Sequence, residues 1–195
     1  GKDHTGVAFL DISTGEFMVA EGSSDYINKL LSSLKPAEVI ISKPQSNLFK
    51  QLTADKYYHF ALEDWVFQSD YAEEKLLNHF GTSTLKGFGI GHLSSAIVAA
   101  GSALYYLEHN QQNNIKHINA ISRMDEDKYV WFDQFTIRNL EVLYPSNPGG
   151  KTLADILDKT QTPMGSRLMK KWVVLPLKDL QQINARLNTV DGFIQ

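Results

Sequence analysis

The chain has 195 residues, of which 43% are hydrophobic, and a formal net charge of -3 at pH 7. That length allows one or two compact domains, and the charge provides no general attraction to nucleic-acid phosphates. The absence of cysteine excludes disulfides and thiolate metal sites and weakly favours a reducing cytosol. No apolar run approaches the ~18 residues of a membrane span, and no signal-peptide pattern opens the sequence.

The first half of the chain alternates patterns typical of strands and helices. Residues 5–12 and 17–20 predict two strands joined by a turn at 13–16, and the first strand is apolar on both faces. Further strands are predicted over 38–42 and 57–62, and helices over 25–34, 47–54, 70–80 and 93–111. Alanines and a glycine leave the last of these helices thin enough for close packing. This order predicts an α/β fold with a mixed sheet flanked by helices on both faces.

The character of the sequence changes in the second half. The polar run 111–114 predicts a boundary, which divides the chain into domains at 1–112 and 113–195. Two extended segments and then a loop are predicted over 128–133, 135–143 and 145–150.

Beyond residue 151 every pattern is helical. Thr152 and Asp155 have the form of a capping box, and Thr162 followed by Pro163 marks a second helix start. The second helix carries an apolar seam, which is predicted to be buried in a helical hairpin and consists of Met164, Leu168, Trp172 and Leu175. A third helix opens at Asp179 and has apolar residues at 180, 183, 187, 190 and 194. Since the chain starts without methionine and stops inside this pattern, we expect a piece of a longer protein whose last helices lack their native cover.

The amino acids of residues 158–177 form a specific signature. They contain the run D-x-T-x-T-x-M-G-S-R-L followed by K-W-x-x-x-P-L, which closely resembles the start of the core (lever) domain in the MutS family of DNA mismatch-repair proteins. The matching residues are Asp158, Thr160, Thr162, Met164, Gly165, Ser166, Arg167, Leu168, Lys171, Trp172, Pro176 and Leu177. The segments 6–17, 79–90, 96–111 and 135–141 are similar to the connector domain of that family and its junction with the core.

The resemblance implies a ribonuclease-H-like connector followed by part of an all-α core. It implies a non-catalytic segment that couples nucleotide state to the binding of mismatched double-stranded DNA and offers a docking surface for MutL. The mismatch-reading domain and the ATPase motifs of the family lie outside this stretch, so ATP, Mg²⁺ and homodimer formation are expected of the longer, cytoplasmic protein. For this chain the resemblance predicts no catalytic, cofactor-binding or metal-binding residue.

The alternative is a stand-alone, metal-dependent nuclease of the ribonuclease-H-like kind. Such an enzyme uses a strand aspartate in the position of Asp11, but two divalent ions need several converging carboxylates. The next strand ends in Ser42 and Lys43 instead of an acid, and the first helix offers only Asp25, which helix capping explains. The sequence therefore favours Asp11 as a polar turn residue.

Two further patterns were tested against binding motifs. Gly87, Gly89 and Gly91 precede a helix, as in phosphate-binding loops, but their spacing fits neither the dinucleotide fingerprint nor a P-loop. A structural turn is the better interpretation. The histidines show no metal-ligand spacing and are predicted to be solvated or to lie at helix ends; they are His4, His59, His79, His92, His109 and His117.

The basic residues allow two interpretations. Arg167, Lys170 and Lys171 are predicted to form a solvated helix face or, in the setting of the MutS family, to pair with acids between lever helices rather than to contact DNA. Arg138, close to Glu141, is equally ambiguous.

The tryptophans divide into packing residues and one surface candidate. Trp131 and Trp172 are predicted to pack. Trp65 stands beside Asp64 in a short connecting segment and is predicted to be partly exposed, so we regard it as a candidate for a partner surface.

Overall fold

The computed structural model describes residues 4–53, 56–110, 115–132 and 134–194. The boundary predicted at 111–114 lies outside the described residues, as do the last residues of three predicted segments, at 54, 111 and 133.

The chain divides into two compact units. One comprises residues 1–31 and 35–124, and the other comprises residues 125–195 together with 32–34. Among the helices of the described ranges, none combines the length and the apolar character needed to cross a lipid bilayer.

The first unit contains two small sheets. Strand β1, Thr5–Asp11, forms an antiparallel hairpin with β2, Glu16–Gly22. Strands β3, Val39–Ser42, and β4, His59–Leu62, pair in parallel as a separate sheet. A two-residue strand β5, Ser122–Arg123, runs parallel to β2, so the larger sheet has the order β1-β2-β5.

The positions of β1 to β4 agree with the prediction, but the number of sheets and the burial of the strands differ from it. One mixed sheet was expected, whereas the described strands form two. The strand buried on both faces is β2 rather than β1: residues 17–20 are all buried, but Phe9 is the only buried residue of β1 in the part described. Strand β5 carries no sequence signal because its two residues are polar and exposed.

Four helices follow the hairpin. They are α1, Ser24–Leu34; α2, Ser46–Thr53; α3, Ser69–Phe80; and α4, Ser94–His109. Helix α4 packs against α3 on one side and against β1 and β2 on the other. The core between these elements includes Phe17, Val19, Leu76, Ile97 and Leu104, all buried.

Two glycines bring α4 into direct backbone contact with its neighbours. A Cβ added to Gly6 in β1 would lie 2.1 Å from the carbonyl carbon of Ser95, at the start of α4. A Cβ added to Gly101 would lie 2.5 Å from the Cα of Ala72 in α3. Neither distance is compatible with a side chain, which confirms the prediction of a thin helix suited to close packing.

The described part of the second unit contains four further α-helices. They are α5, Gln134–Asn139; α6, Leu153–Leu157; α7, Pro163–Val174; and α8, Leu180–Ile194. All three predicted helix starts are confirmed: Thr152 and Asp155 form a complete capping box, Thr162 accepts from the Gly165 N–H at 3.1 Å, and the Asp179 carboxylate accepts from the Gln182 N–H at 2.8 Å. An antiparallel bridge joins the extended Tyr129 to Leu177.

The extended segment predicted over 135–143 is wrong, because residues 134–139 form α5. This helix ends in a Schellman motif, in which the Val142 N–H donates to the Ile137 carbonyl at 3.0 Å and the Glu141 N–H to the Arg138 carbonyl at 3.1 Å. Glu141 has a φ of 49°, in a position where glycine is usual. Because no glycine marks the end of the helix, the aromatic and β-branched residues before it resemble a strand.

The seam predicted to be buried along α7 is covered only at its end. Leu175 is 1% exposed, whereas Met164 and Leu168 are 46% and 44% exposed. The apolar residues of α8 are also open, with Leu180 at 68% and Leu187 at 60%. The helical periodicity was read correctly, but it did not determine which part of the stripe is covered within this chain.

Candidate functional surfaces

Three aromatic rings of the first unit form a cluster in which one ring is exposed and two are half-buried. We call it the aromatic surface: Trp65, Tyr71 and Tyr105. The Trp65 ring centroid lies 5.1 Å from that of Tyr71 and 5.2 Å from that of Tyr105, and the tyrosine centroids are 6.0 Å apart. All three pairs meet edge to face, the geometry that aromatic quadrupoles favour. Trp65 remains 49% exposed, so the predicted partial exposure of this residue is confirmed.

The backbone under Trp65 is fixed by its neighbour. Trp65 lies in a 3-10 turn, Asp64–Phe67, between β4 and α3. The next residue, Val66, is 1% exposed, and its carbonyl accepts a hydrogen bond from the buried Ser102 hydroxyl at 3.1 Å. The same hydroxyl lies 2.8 Å from the Val98 carbonyl on α4. A buried polar tie of this kind holds the turn, and with it the indole, against α4.

The two tyrosines of the aromatic surface were missed by the sequence analysis. Tyr71 precedes Ala72, and Tyr105 lies one helical turn after Gly101, so the close contact between those two small residues brings the rings together. An alanine and a glycine beside tyrosines on neighbouring helices were the available signal, but the sequence does not show that α3 and α4 are partners.

Acidic residues predominate in the segment that carries Trp65 and Tyr71. Residues 63–75 include one lysine, Lys75, and five acids, at Glu63, Asp64, Asp70, Glu73 and Glu74. Glu63 forms an ion pair with Lys43. Lys75 forms an ion pair with Glu108 of α4. Burial raises the pKa of Tyr71, and the negative charges of Glu108 and Glu74 raise it further, against an opposing effect of Lys75. These charges therefore lie close enough to Tyr71 to act on its ring.

A second aromatic contact lies on the adjacent residue of α4. The Tyr106 hydroxyl donates to Glu38 Oε2 at 2.8 Å, and the Tyr106 ring lies 5.4 Å from Phe60 of β4, which is 43% exposed. Burial, followed by the hydrogen bond and charge of Glu38, raises the pKa of Tyr106 to about 12.

The junction between α6 and α7 is held by one carboxylate. Asp158 Oδ1 accepts from the Thr160 N–H at 3.1 Å and from the Thr160 hydroxyl at 2.6 Å, while its other oxygen accepts from the Ser166 hydroxyl. The Ser166 and Thr160 hydrogen bonds hold the pKa of Asp158 below its ordinary value. A Cβ at Gly165 would lie 2.9 Å from Thr160 Cβ, so this arrangement requires the glycine of the signature.

The start of α4, where a phosphate-binding loop would take its anion, is bonded by the protein itself. Glu21 Oε2 accepts from the Ser95 N–H at 2.8 Å and from the Ala96 N–H at 3.1 Å. A phosphate would need these same donors. Gly89, with a φ of 73°, ends a 3-10 turn by donating to the Lys86 carbonyl, as expected of a structural turn. Glu21 lies 74 residues before Ser95, so no local sequence pattern indicates this cap.

Asp11 is used in the hairpin turn. Its Oδ1 accepts from the Ser13 N–H at 2.9 Å and from the Thr14 N–H at 3.4 Å, as in an Asx turn. Across the described ranges, no three His, Asp or Glu side chains come together in a way that could hold a metal ion. The nuclease alternative therefore has no structural support.

The histidines are dispersed among separate contacts. His79 and His117 donate to the carbonyls of Ile118 and Ile12, at 2.7 and 2.6 Å. Arg123 donates to His92, and His59 contacts the Ser46 hydroxyl. The remaining two are His109, which stacks on Tyr105 at 3.9 Å, and the exposed His4.

Lys170 of α7 acts on two acids, and Arg186 of α8 lies over an aromatic ring. The charge of Lys170 contributes to the lowered pKa of both Asp155 and Asp158, behind the hydrogen bonds to those carboxylates. Trp172 supports the Arg186 guanidinium of α8, 4.5 Å above its ring centroid. The pairing of Arg167, Lys170 and Lys171 with acids between lever helices stays a prediction.

Both units match sequence models of one family, in the same order along the chain. Residues 1–119 match the family described as MutS domain II, and residues 135–195 match MutS domain III. The chain therefore belongs to the MutS family.

Similar proteins described as DNA mismatch repair protein MutS occur in several bacteria. That of Flavobacterium psychrophilum is 51% identical over 193 residues, which is 99% of this chain and 22% of the relative. That of Phocaeicola vulgatus is 49% identical over 195 residues, or 100% of this chain and 22% of the relative. The chain thus spans about a fifth of the length of these relatives.

Proposed function

We propose that this chain is the connector and first lever segment of a DNA mismatch-repair ATPase, a non-catalytic part that couples nucleotide state to the binding of mismatched DNA. The observation that carries the proposal is the succession of an α/β unit and a helical unit that match MutS domains II and III. In this proposal ATP, Mg²⁺, mismatched double-stranded DNA and homodimer formation belong to the longer, cytoplasmic protein.

The proposal extends to the fold and the partner of the first unit. A hairpin, a parallel strand pair and a long helix across β1 and β2 support a ribonuclease-H-like connector. MutL is the proposed partner of this unit, and an exposed, well-anchored tryptophan such as Trp65 is the kind of residue that protein docking uses.

Coupling between distant sites needs packed elements that move as units. The α6–α7 junction supplies such an element, because Asp158 binds both the connecting residue Thr160 and the helical residue Ser166. Helix α7 is thereby fixed at a set angle to the segment before it. We propose that this fixed joint transmits displacement through the lever.

The test replaces Ser166 with alanine in the full-length protein and uses Gln161→Ala, in the exposed loop beside it, as the control. Ser166→Ala is expected to slow ATP-triggered release from a mismatch about threefold, because the joint loosens, while ATP hydrolysis changes less than about twofold. Release and hydrolysis are measured by stopped-flow fluorescence and phosphate production. Equal release by the variant, the control and the unchanged protein would reject the role of the junction.

The isolated 195-residue chain tests the docking part. It is expected to bind the N-terminal domain of MutL in a titration, to bind DNA weakly at most, and to show neither ATPase nor nuclease turnover. Absence of MutL binding at high micromolar concentration would count against the docking surface.

A further inference from the structure

We infer that the aromatic surface docks an arginine-bearing segment of a protein partner. Trp65 supplies a flat ring for the guanidinium, and the neighbouring carboxylates supply its counter-charge. This goes beyond the proposed function, because it concerns the chemistry of the docked segment, whichever protein carries it.

Trp65 is both exposed and held rigidly. Large aromatic side chains on protein surfaces are enriched at interfaces, and they contribute most when they are held in place before binding. Trp65 keeps 49% of its surface open, although Val66 beside it is buried and tied to Ser102. Its edge-to-face contacts with Tyr71 and Tyr105 restrict the ring further. A partner would therefore meet an ordered indole at little entropic cost.

Carboxylates accompany both Trp65 and Tyr71. Asp64 precedes Trp65, and Glu74 and Glu108 act on Tyr71. Lys75, whose charge acts on Tyr71, forms an ion pair with Glu108, whereas Asp64 and Glu74 are exposed and accessible to a cationic partner. These carboxylates disfavour binding of nucleic acid and of anionic membranes, and they favour binding of a cationic protein segment.

The two features together select arginine over lysine. A guanidinium is planar, stacks on an indole and binds a carboxylate through two N–H groups. An ammonium attracts both the indole and the carboxylate only as a point charge. The glutamine side chain is neutral, so it offers neither a charge for the carboxylates nor a cation for the indole. We expect affinity in the order arginine, lysine, glutamine.

The experiment uses the whole chain labelled with 5-fluorotryptophan and fluorine NMR, because each of Trp65, Trp131 and Trp172 then gives its own signal. Trp65→Phe identifies the signal of the aromatic surface. The probes are peptides of alternating glycine and arginine, with lysine and glutamine versions of equal length. The arginine peptide is expected to shift the Trp65 signal with saturation, the lysine peptide more weakly, and the glutamine peptide not at all.

Charge is tested with a matched pair of variants on α3. Glu74→Gln removes a carboxylate that acts on Tyr71 and is expected to weaken binding of the arginine peptide about threefold. Glu73→Gln makes the same change two positions from Tyr71, a spacing that does not face it on a helix, and is expected to leave binding unchanged. Asp64→Asn, beside the indole, is expected to behave as Glu74→Gln does.

Three outcomes would overturn the inference. The first is a Trp65 signal that no peptide moves at millimolar concentration, and the second is an equal shift by the arginine and glutamine peptides, which would indicate apolar contact alone. The third is a shift of the Trp65 signal when the protein concentration is raised without peptide. Such a shift would identify a second copy of the chain as the occupant of the aromatic surface.

Discussion

Glu21 shows how a single side chain can replace an expected ligand. Its carboxylate binds two N–H groups at the start of α4, where the helix dipole favours negative charge. Leu93, the residue that precedes the helix, cannot cap it with its own side chain. The glycines before α4 resemble a ligand loop, but the anion is supplied by β2.

Glu21→Ala should therefore lower the free energy of unfolding by about 1 kcal/mol, the usual cost of losing a helix cap. Glu21→Gln should cost less, because its amide oxygen can still accept. Urea unfolding measures the stability, and hydrogen exchange at Ser95 and Ala96 locates the change. Glu16→Gln, at the other end of the same strand, is the control. Unaltered exchange at those two amides in Glu21→Ala would contradict the cap.

Sequence reasoning at this scale succeeded where the interaction is local. The Asp11 turn and the Thr152–Asp155 box depend on residues two or three positions apart, so their spacing carries the information. The Glu21 cap and the Tyr71–Tyr105 contact join residues far apart in the chain, and no local pattern announces them.

Among the elements, the α6–α7 junction was predictable in part: its capping residues give a local sequence signal, but its central hydrogen bonds do not. Its helix starts were readable from capping residues, but the role of Asp158 as the common acceptor of Thr160 and Ser166 became visible only in three dimensions. Helix α5 lacks the usual sequence signal of a helix end. The left-handed position after it is usually glycine, but here it is Glu141.

The junction should respond to acid. The hydrogen bonds to Asp158 lower its pKa in the folded chain, so their stabilisation is complete above the ordinary aspartate pKa and is lost as the pH falls through the lowered value. Asp158→Asn should reduce stability at neutral pH and flatten this loss. Urea unfolding across an acidic pH series measures it, followed by Trp131 and Trp172 fluorescence in a Trp65→Phe background.

Asp127→Asn is the control for that series, because Asp127 is an exposed acid of the same unit. If the Asp127 and Asp158 variants give the same pH profile, the junction is not the acid-sensitive element.

At the scale of the whole molecule, the two units differ in how well they are covered. The first unit encloses a core of residues from β2, α3 and α4, whereas several apolar residues of α7 and α8 remain open. Exposed apolar surface of this extent is a common cause of association between molecules. The family and most helix and strand positions were readable from the sequence, with α5 and β5 as the exceptions. The division into two sheets and the coverage of the seam depend on tertiary contacts.

The 195-residue chain alone should self-associate, and Leu187→Glu should reduce this association, because it places a charge on an apolar residue that is 60% exposed. Asn188→Glu introduces the same charge at the next, polar position of α8 and should change little. Sedimentation velocity over a concentration series compares the two variants. A monomeric parent chain at every concentration would refute this expectation.

The two contacts of Gly6 and Gly101 set a limit on mutational drift. Any residue larger than glycine at Gly6 of β1 would push that strand away from α4, and one at Gly101 of α4 would push the helix away from α3. Glycine is therefore the one residue that both positions accept. The half-buried Ala99 and Ala103 on the same helix are not bound by that restriction. Gly6 and Gly101 therefore set how closely β1 and α3 can approach α4.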